Sequence, residues 1–235
     1  MKAALLAGHK KSGKTTLALR LIEAFKARNL TVSVIKTTHH AFDAADSDTD
    51  KLSRKADVLA GLSPEATHVI WSHAKSPLDV IPLLQTDILL IEGGKQWQFA
   101  PRIILPRSEE EADELDQGLA IAQWDGPHAS RLPVYATIEL LADCIVQQGF
   151  LLPGLDCSAC GYATCGELAR AIISGREDEG SCQAVQSDLE INVNGQPIPL
   201  NPFVRNLISG TLSGMLSSLK GFTPGPVTIR MEPSE

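Results

Sequence analysis

The stretch "AALLAGHKKSGKTTLALR", Ala3 to Arg20, decides the fold. Ala3 to Ala7 form a short apolar run of strand length. Gly8-His9-Lys10-Lys11-Ser12-Gly13-Lys14-Thr15 then matches G-x-x-x-x-G-K-[ST] at every fixed position. From Thr15 onward, Leu17, Leu21, Ile22 and Phe25 recur at helical spacing, and Asn29 supplies a stop. Strand, glycine-bearing loop and helix in that order predict a phosphate cradle. Gly8 and Gly13 permit the backbone to turn its N–H groups inward along His9, Lys10, Lys11 and Ser12. The helix start adds orphan donors and the positive end of its dipole at Thr15 and Thr16. In this pattern Lys14 neutralises the β/γ-phosphates and Thr15 ligates Mg²⁺.

The same alternation continues through the first two-thirds of the chain. "TVSVIK" (31–36), "HVIWS" (68–72), "DILLIE" (87–92), "RIIL" (102–105) and "LAIA" (119–122) read as further strands. "ILLI" is apolar without alternation, as suits a central parallel strand covered on both faces. Strands alternating with helices predict an α/β fold with a mostly parallel sheet. The acidic "SEEEADELD" (108–116) reads as a solvated loop or short exposed helix, and "IELLADCIVQQGF" (138–150) as a closing helix. "LPG" (152–154) punctuates the chain, giving a first domain over 1–150 and a second, small α+β domain over 151–235. In the second, Asn194–Gly195 predicts a hairpin turn, and Asn201 with Pro202 predicts a capped helix. The apolar stripe Phe203, Leu207, Ile208, Leu212, Met215, Leu216 and Leu219 is expected to pack the core of that domain. "PVTIRM" (226–231) is expected to close it as a strand.

A phosphate loop needs an acidic partner, and the strand 87–92 offers Asp87 at one end and Glu92 at the other. Phosphates bind beyond the carboxyl ends of such strands, which selects Glu92. Asp87 falls about 17 Å away by strand rise and reads as a surface acid. Lys95 is left between a phosphate-facing and a solvated reading. "KTTHHAFDAADSDTDK" (36–51) is a long polar loop at the same sheet edge. His39 and His40 in it point opposite ways if extended, so a plain loop role is expected there. His68, His73 and His128 show no ligand spacing. No N-K-x-D element occurs, so the identity of the base does not follow from motif chemistry.

Composition narrows the function classes. The 235 residues are 43% hydrophobic and 21% charged with net charge −7, which fits a globular protein and disfavours nucleic acid or anionic lipid as partner. No apolar run is long enough to span a membrane, and the short N-terminal one reads as a strand rather than a signal, so a cytoplasmic setting is expected. In a reducing compartment, clustered cysteines are metal ligands before they are disulfides.

Cys157, Cys160, Cys165 and Cys182 follow C-x2-C-x4-C-x16-C. Three sulfurs can converge from one loop, and the helical "GELARAIISG" returns the chain towards the fourth. Four thiolates suit tetrahedral Zn²⁺ or an iron–sulfur cluster. Zinc ribbons carry two C-x2-C pairs and only one is present, so [4Fe–4S] is the preferred reading. Cys144 sits in the apolar "LLADCIV" and reads as a packed hydrophobe.

"GHKKSGKTTL", "IKTTHH" with Phe42-Asp43 after it, and "DILLIEGGK" followed by "PRIIL" resemble MobB, the molybdopterin-guanine dinucleotide biosynthesis protein B family, over roughly residues 1–148. The resemblance implies that Gly8, Gly13, Lys14, Thr15 and Thr16 hold GTP and Mg²⁺, with Glu92 as acidic partner. Asp50 matches the aspartate of the family's G-K-D-[ST] element, although "SDTDK" lacks that glycine, lysine and hydroxyl. "LPGLDCSACGYATC" with Cys182 resembles the [4Fe–4S] domain of the electron-transfer subunit RnfB and of corrinoid iron–sulfur proteins; Ser158 stands where a glycine is usual. Together these imply a weakly GTP-hydrolysing accessory protein of molybdenum-cofactor maturation. Its partners would be a molybdenum-cofactor guanylyltransferase or a molybdoenzyme client, and it would form a homodimer. A nucleotide-gated electron-transfer protein and a metal or cluster chaperone are the alternatives; a small-molecule kinase lacks a second-substrate motif.

Overall fold

The computed structural model describes residues 1–38, 48–126, 132–185, 189–193, 195–198, 200–223, 225–229 and 231. The first strand, β1 (Lys2–Ala7), runs into α1 (Lys14–Lys26) and β2 (Val32–Lys36). A short α2 (Asp48–Ser53) precedes β3 (Val58–Leu62) and β4 (Thr67–Trp71). After α3 (Pro77–Val80) come β5 (Ile88–Glu92), β6 (Arg102–Ile104), α4 (Glu109–Asp116), β7 (Ala120–Trp124), β8 (Val134–Tyr135) and α5 (Ile138–Gln148). The rest comprises α6 (Cys165–Ile173), the strand pair β9 (Asn192–Val193) and β10 (Gln196–Pro197), and α7 (Pro202–Ser217).

One six-stranded sheet in the order β2-β5-β1-β6-β7-β8 organises the chain, and every pairing in it is parallel. The expected α/β class is therefore present. β1 lies inside the sheet and is buried on both faces, which is why its sequence does not alternate. Its odd residues Ala3, Leu5 and Ala7 join one core with Leu89, Ile91 and Ile104. Its even residues Ala4 and Leu6 join the other with Leu17, Leu21 and Phe25 of α1 and Leu141 and Ile145 of α5. Phe25 is wholly buried, so Phe25→Ala is expected to cost about 3–5 kcal/mol, read as an earlier urea midpoint at unchanged slope.

The first face is covered in part by the cysteine segment itself. Leu168 and Ala169 of α6, with Cys182, pack in the same core as Ala112 and Leu115 of α4 and Phe99, Phe150 and Leu152. The acidic "SEEEADELD" is thus a helix with a buried side, capped by Ser108, whose hydroxyl accepts the Glu111 N–H. Arg102 is 1% exposed and donates to the carbonyls of Leu115, Lys95 and Trp97, tying α4 to the segment after β5. Gly166 fits under Gln98 so closely that a Cβ there would stand 2.8 Å from the Gln98 Cβ. Arg170 reaches across to the Gln117 carbonyl and the Gln98 side chain.

Three expectations change. "HVIWS" is a strand, but it forms a separate antiparallel hairpin with β3, in which Leu62 is 81% exposed. A β-branched run specifies an extended backbone and leaves its pairing partner open. The stripe on α7 does not pack a core: the helix buries none of its residues, and Phe203 is 76% exposed. Amphipathic spacing marks a face that favours cover without naming what supplies it. The described residues of "PVTIRM" form no strand, since propensity without a partner edge makes none. The hairpin around Gly195, which adopts φ +77°, and the Asn201 cap, which accepts from the Val204 N–H, are as expected. Asn194 and Arg230 lie outside the described residues.

Candidate functional site

The carboxyl ends of β1, β5 and β2 deliver the loop 8–13, Glu92 and Lys36 to one edge of the sheet. Gly8 is favoured by space, because a Cβ would meet Ser12 Oγ at 2.3 Å and press on the Leu105 carbonyl at 3.1 Å. Gly13 is required by conformation: it caps α1 at φ +87° and places no side-chain cap on the helix's first N–H groups. Those donors face the loop, as an anion site needs. Lys14 Nζ donates to the His9 carbonyl at 2.6 Å and to Ser12 Oγ at 3.4 Å.

Thr15 Oγ1 donates to Glu92 Oε1 at 2.6 Å, so the two residues expected to serve the metal meet. Lys36, absent from the expected set, donates to both Glu92 oxygens at 3.0 Å and to Thr15 Oγ1 at 3.3 Å. Burial lowers the pKa of Lys14; Glu92 pulls it back up, while the cations Lys95, Lys36 and Arg107 lower it further. Lys95 lies 3.4 Å from the His9 ring nitrogens and from Glu114, beside the loop, with 36% of its side chain exposed. Lys10, Lys11 and Thr16 are exposed around the same loop, with Lys11 at φ +67°.

Asp87 stands at the opposite end of β5, accepting from the Thr31 N–H and hydroxyl, which hold its carboxyl below the usual range. Its reading as an end-of-strand acid agrees with this. Asp50 of α2 pairs with Arg54, just past the end of that short helix. His39, His40 and His128 lie outside the described residues, and His68 and His73 are exposed.

At the rim, Arg107 grips the Glu111 carboxylate, with Nη2 at 2.6 Å from Oε1, and its guanidinium lowers that carboxyl to about 2. A depressed carboxyl stabilises the fold above its ordinary value near 4.5, and the effect is lost as pH falls towards 2. Glu111→Gln is thus expected to melt slightly below wild type at pH 7, with the gap closing through that acidic window in thermal scans.

All four cysteines line one small pocket, walled by Leu155, Tyr162 and Leu168, and none forms a disulfide. Asp156, Ser158 and Gly161 take positive φ in the loop that presents them. Ser158 meets the glycine-type geometry of its position and donates its hydroxyl to the Ala163 carbonyl. Asp156 accepts the Cys165 N–H at 2.7 Å. Burial raises the Cys165 thiol. Among the described residues, no three His, Cys, Asp or Glu side chains form a group that could hold a metal ion. Free thiols gathered from two separated segments onto one lined cavity fit the donor chemistry of a thiolate-held group. Cys144 is 3% exposed on α5, remote from that lining.

A parallel sheet with a G-x-x-x-x-G-K-[ST] loop between β1 and α1, and an acid ending the adjacent strand, defines a P-loop nucleoside-triphosphatase fold. Residues 4–124 match the family model MobB, "Molybdopterin guanine dinucleotide synthesis protein B", and the chain belongs to that family. Residues 152–184, which hold all four cysteines, match a model described as "Putative Fe-S cluster". The chain is 26% identical over 235 residues to a Methanocaldococcus jannaschii protein named "Putative molybdopterin-guanine dinucleotide biosynthesis adapter protein", covering 96% of this chain and 94% of that one. It is 33% identical over 112 residues to the molybdopterin-guanine dinucleotide biosynthesis adapter protein of Haemophilus influenzae, covering 44% of this chain and 62% of that one. The crystal structure of Bacillus subtilis MobB superposes with a TM-score of 0.52 at 22% identity, over 62% of this chain and 98% of that one, and shows the fold. No described helix is long and apolar enough to cross a membrane.

Proposed function

We propose that the chain is a GTP- and Mg²⁺-binding adapter in molybdopterin guanine dinucleotide biosynthesis, with weak GTPase activity and a [4Fe–4S] cluster. The observation that carries the reading is the junction of the Lys14 loop with the Thr15–Glu92 hydrogen bond at one sheet edge, in a chain of this family. Gly8 to Gly13 and the α1 N-terminus hold the phosphates through backbone donors, and Lys14 offsets their charge. Thr15 and Glu92 hold Mg²⁺, whose charge stabilises the leaving phosphate oxygens. Guanine is chosen over adenine on the names of the relatives alone. Residues 1–150 form the nucleotide part and 151–235 the four-cysteine part.

Cys157, Cys160, Cys165 and Cys182 hold the cluster, which supplies one-electron chemistry. The single C-x2-C pair and the matched family model support iron–sulfur over zinc. The pathway partner is the guanylyltransferase or a molybdoenzyme client, and the protein acts in the cytoplasm as a homodimer. A reconstituted assay containing molybdopterin, Mg²⁺, GTP and a molybdenum-cofactor guanylyltransferase tests the reading. Added chain is expected to raise dinucleotide formation, and no stimulation by a nucleotide-competent sample would contradict the adapter role.

A further inference from the structure

Lys36 ends β2, and the parallel register pairs it directly with Glu92 at the end of β5. Its ammonium is held by three oxygens at once: both Glu92 oxygens at 3.0 Å and Thr15 Oγ1 at 3.3 Å. Glu92 is well shielded, with 12% of its side chain exposed, whereas Lys36 keeps 45%. The Thr15 hydroxyl gives its proton to Glu92 and its lone pair to Lys36. A divalent cation at Thr15 needs that same lone pair, at about 2.0–2.1 Å for Mg²⁺. The ammonium and the ion therefore compete for one place between the same side chains.

We propose that Lys36 is the resident counter-cation of this metal site, seated between Thr15 and Glu92 until a nucleotide arrives with its own Mg²⁺. The proposal rests on the nucleotide reading above and adds to it a reason for ordered binding. Without nucleotide, Lys36 satisfies Glu92 and blocks free divalent metal. With nucleotide, the phosphates supply the further oxygens that a six-coordinate Mg²⁺ demands, and the ion displaces the ammonium. Lys36, on a mobile four-carbon stem at the rim, then turns to the phosphate charge beside Lys14. The chain thus carries metal only together with its nucleotide.

Mn²⁺ titration of the full-length protein followed by electron paramagnetic resonance tests this, with and without saturating GTP. In the absence of nucleotide, Lys36→Met is expected to bind Mn²⁺ roughly tenfold more tightly than wild type, while Lys36→Arg keeps the block. Glu92→Gln should lose the gained Mn²⁺ signal, which assigns it to this site rather than to the cysteines or surface acids. Saturating GTP should shrink the difference between wild type and Lys36→Met. Coincident Mn²⁺ titrations for wild type and Lys36→Met, in samples that melt alike and bind GTP, overturn the role of Lys36 and leave the nucleotide reading intact. Failure of both to bind GTP overturns the two together.

Discussion

Lys14→Ala is expected to weaken GTP binding at least about a hundredfold, because under the proposed function it removes the ammonium that offsets the β/γ-phosphate charge. The structure explains why so local a change has so large an effect. Lys14 is partly buried, and its ammonium already costs desolvation, as its lowered pKa records. That charge is held ready by the His9 carbonyl at 2.6 Å rather than by a carboxylate, so a phosphate meets little competition for it. The fold depends on it far less. One hydrogen bond to a loop carbonyl contributes about 0.5–1.5 kcal/mol, so the melting temperature should move only a few degrees. Lys14→Arg keeps the charge but exchanges a compact ammonium for a planar fork, and is expected to restore little. Equilibrium titration with a fluorescent GTP analogue, beside a thermal melt of the same sample, separates lost binding from lost fold.

Cys182→Ser is expected to abolish iron and acid-labile sulfide in anaerobically purified protein and to lower stability as well. Cys182 is 5% exposed and packs with Leu168 and Ala169 in the core that covers the sheet. A serine there lacks the thiolate and places a hydroxyl among apolar groups at a cost of about 1–3 kcal/mol. Cys157→Ser, at a more open position of the same pocket, should lose the iron with less loss of stability. Cys144→Ser is the discriminating control, since its thiol lies on α5, where burial raises its pKa, and outside the pocket lining. Iron content retained by Cys182→Ser, or lost by Cys144→Ser, would assign the ligands wrongly.

Much of the sheet could be read from local chemistry. β1, β2, β5, β6 and β7 announce themselves as apolar runs, and the loop at 8–15 marks the end of the sheet where phosphate is expected. Glu92 followed from strand polarity, because only the carboxyl end of β5 reaches that loop. Lys36 was not legible, although it ends a strand that was recognised. Its importance depends on β2 lying beside β5, and strand order is a long-range property that residue patterns do not encode. Arg102 was hidden too, a charged residue in the apolar "RIIL" whose partners are carbonyls of the segment after β5 and of α4, a pairing set by how those pieces pack rather than by residue pattern. Such packing also hid the use of α6 as a cover for the sheet: the cysteine spacing points to a pocket, while Leu168 and Ala169 show what the helix between Cys165 and Cys182 packs against. α7 erred the other way, since a clear amphipathic stripe met no core.

The proposed function requires the Lys14 loop to hold a guanine nucleotide. Calorimetric titration of GTP with Mg²⁺ into anaerobically purified full-length protein tests it most directly, with ATP run in parallel. One saturable site per chain is expected, at least about tenfold tighter for GTP than for ATP and absent in Lys14→Ala. A cooperatively melting protein that gives no binding heat with GTP, or that prefers ATP, would contradict it.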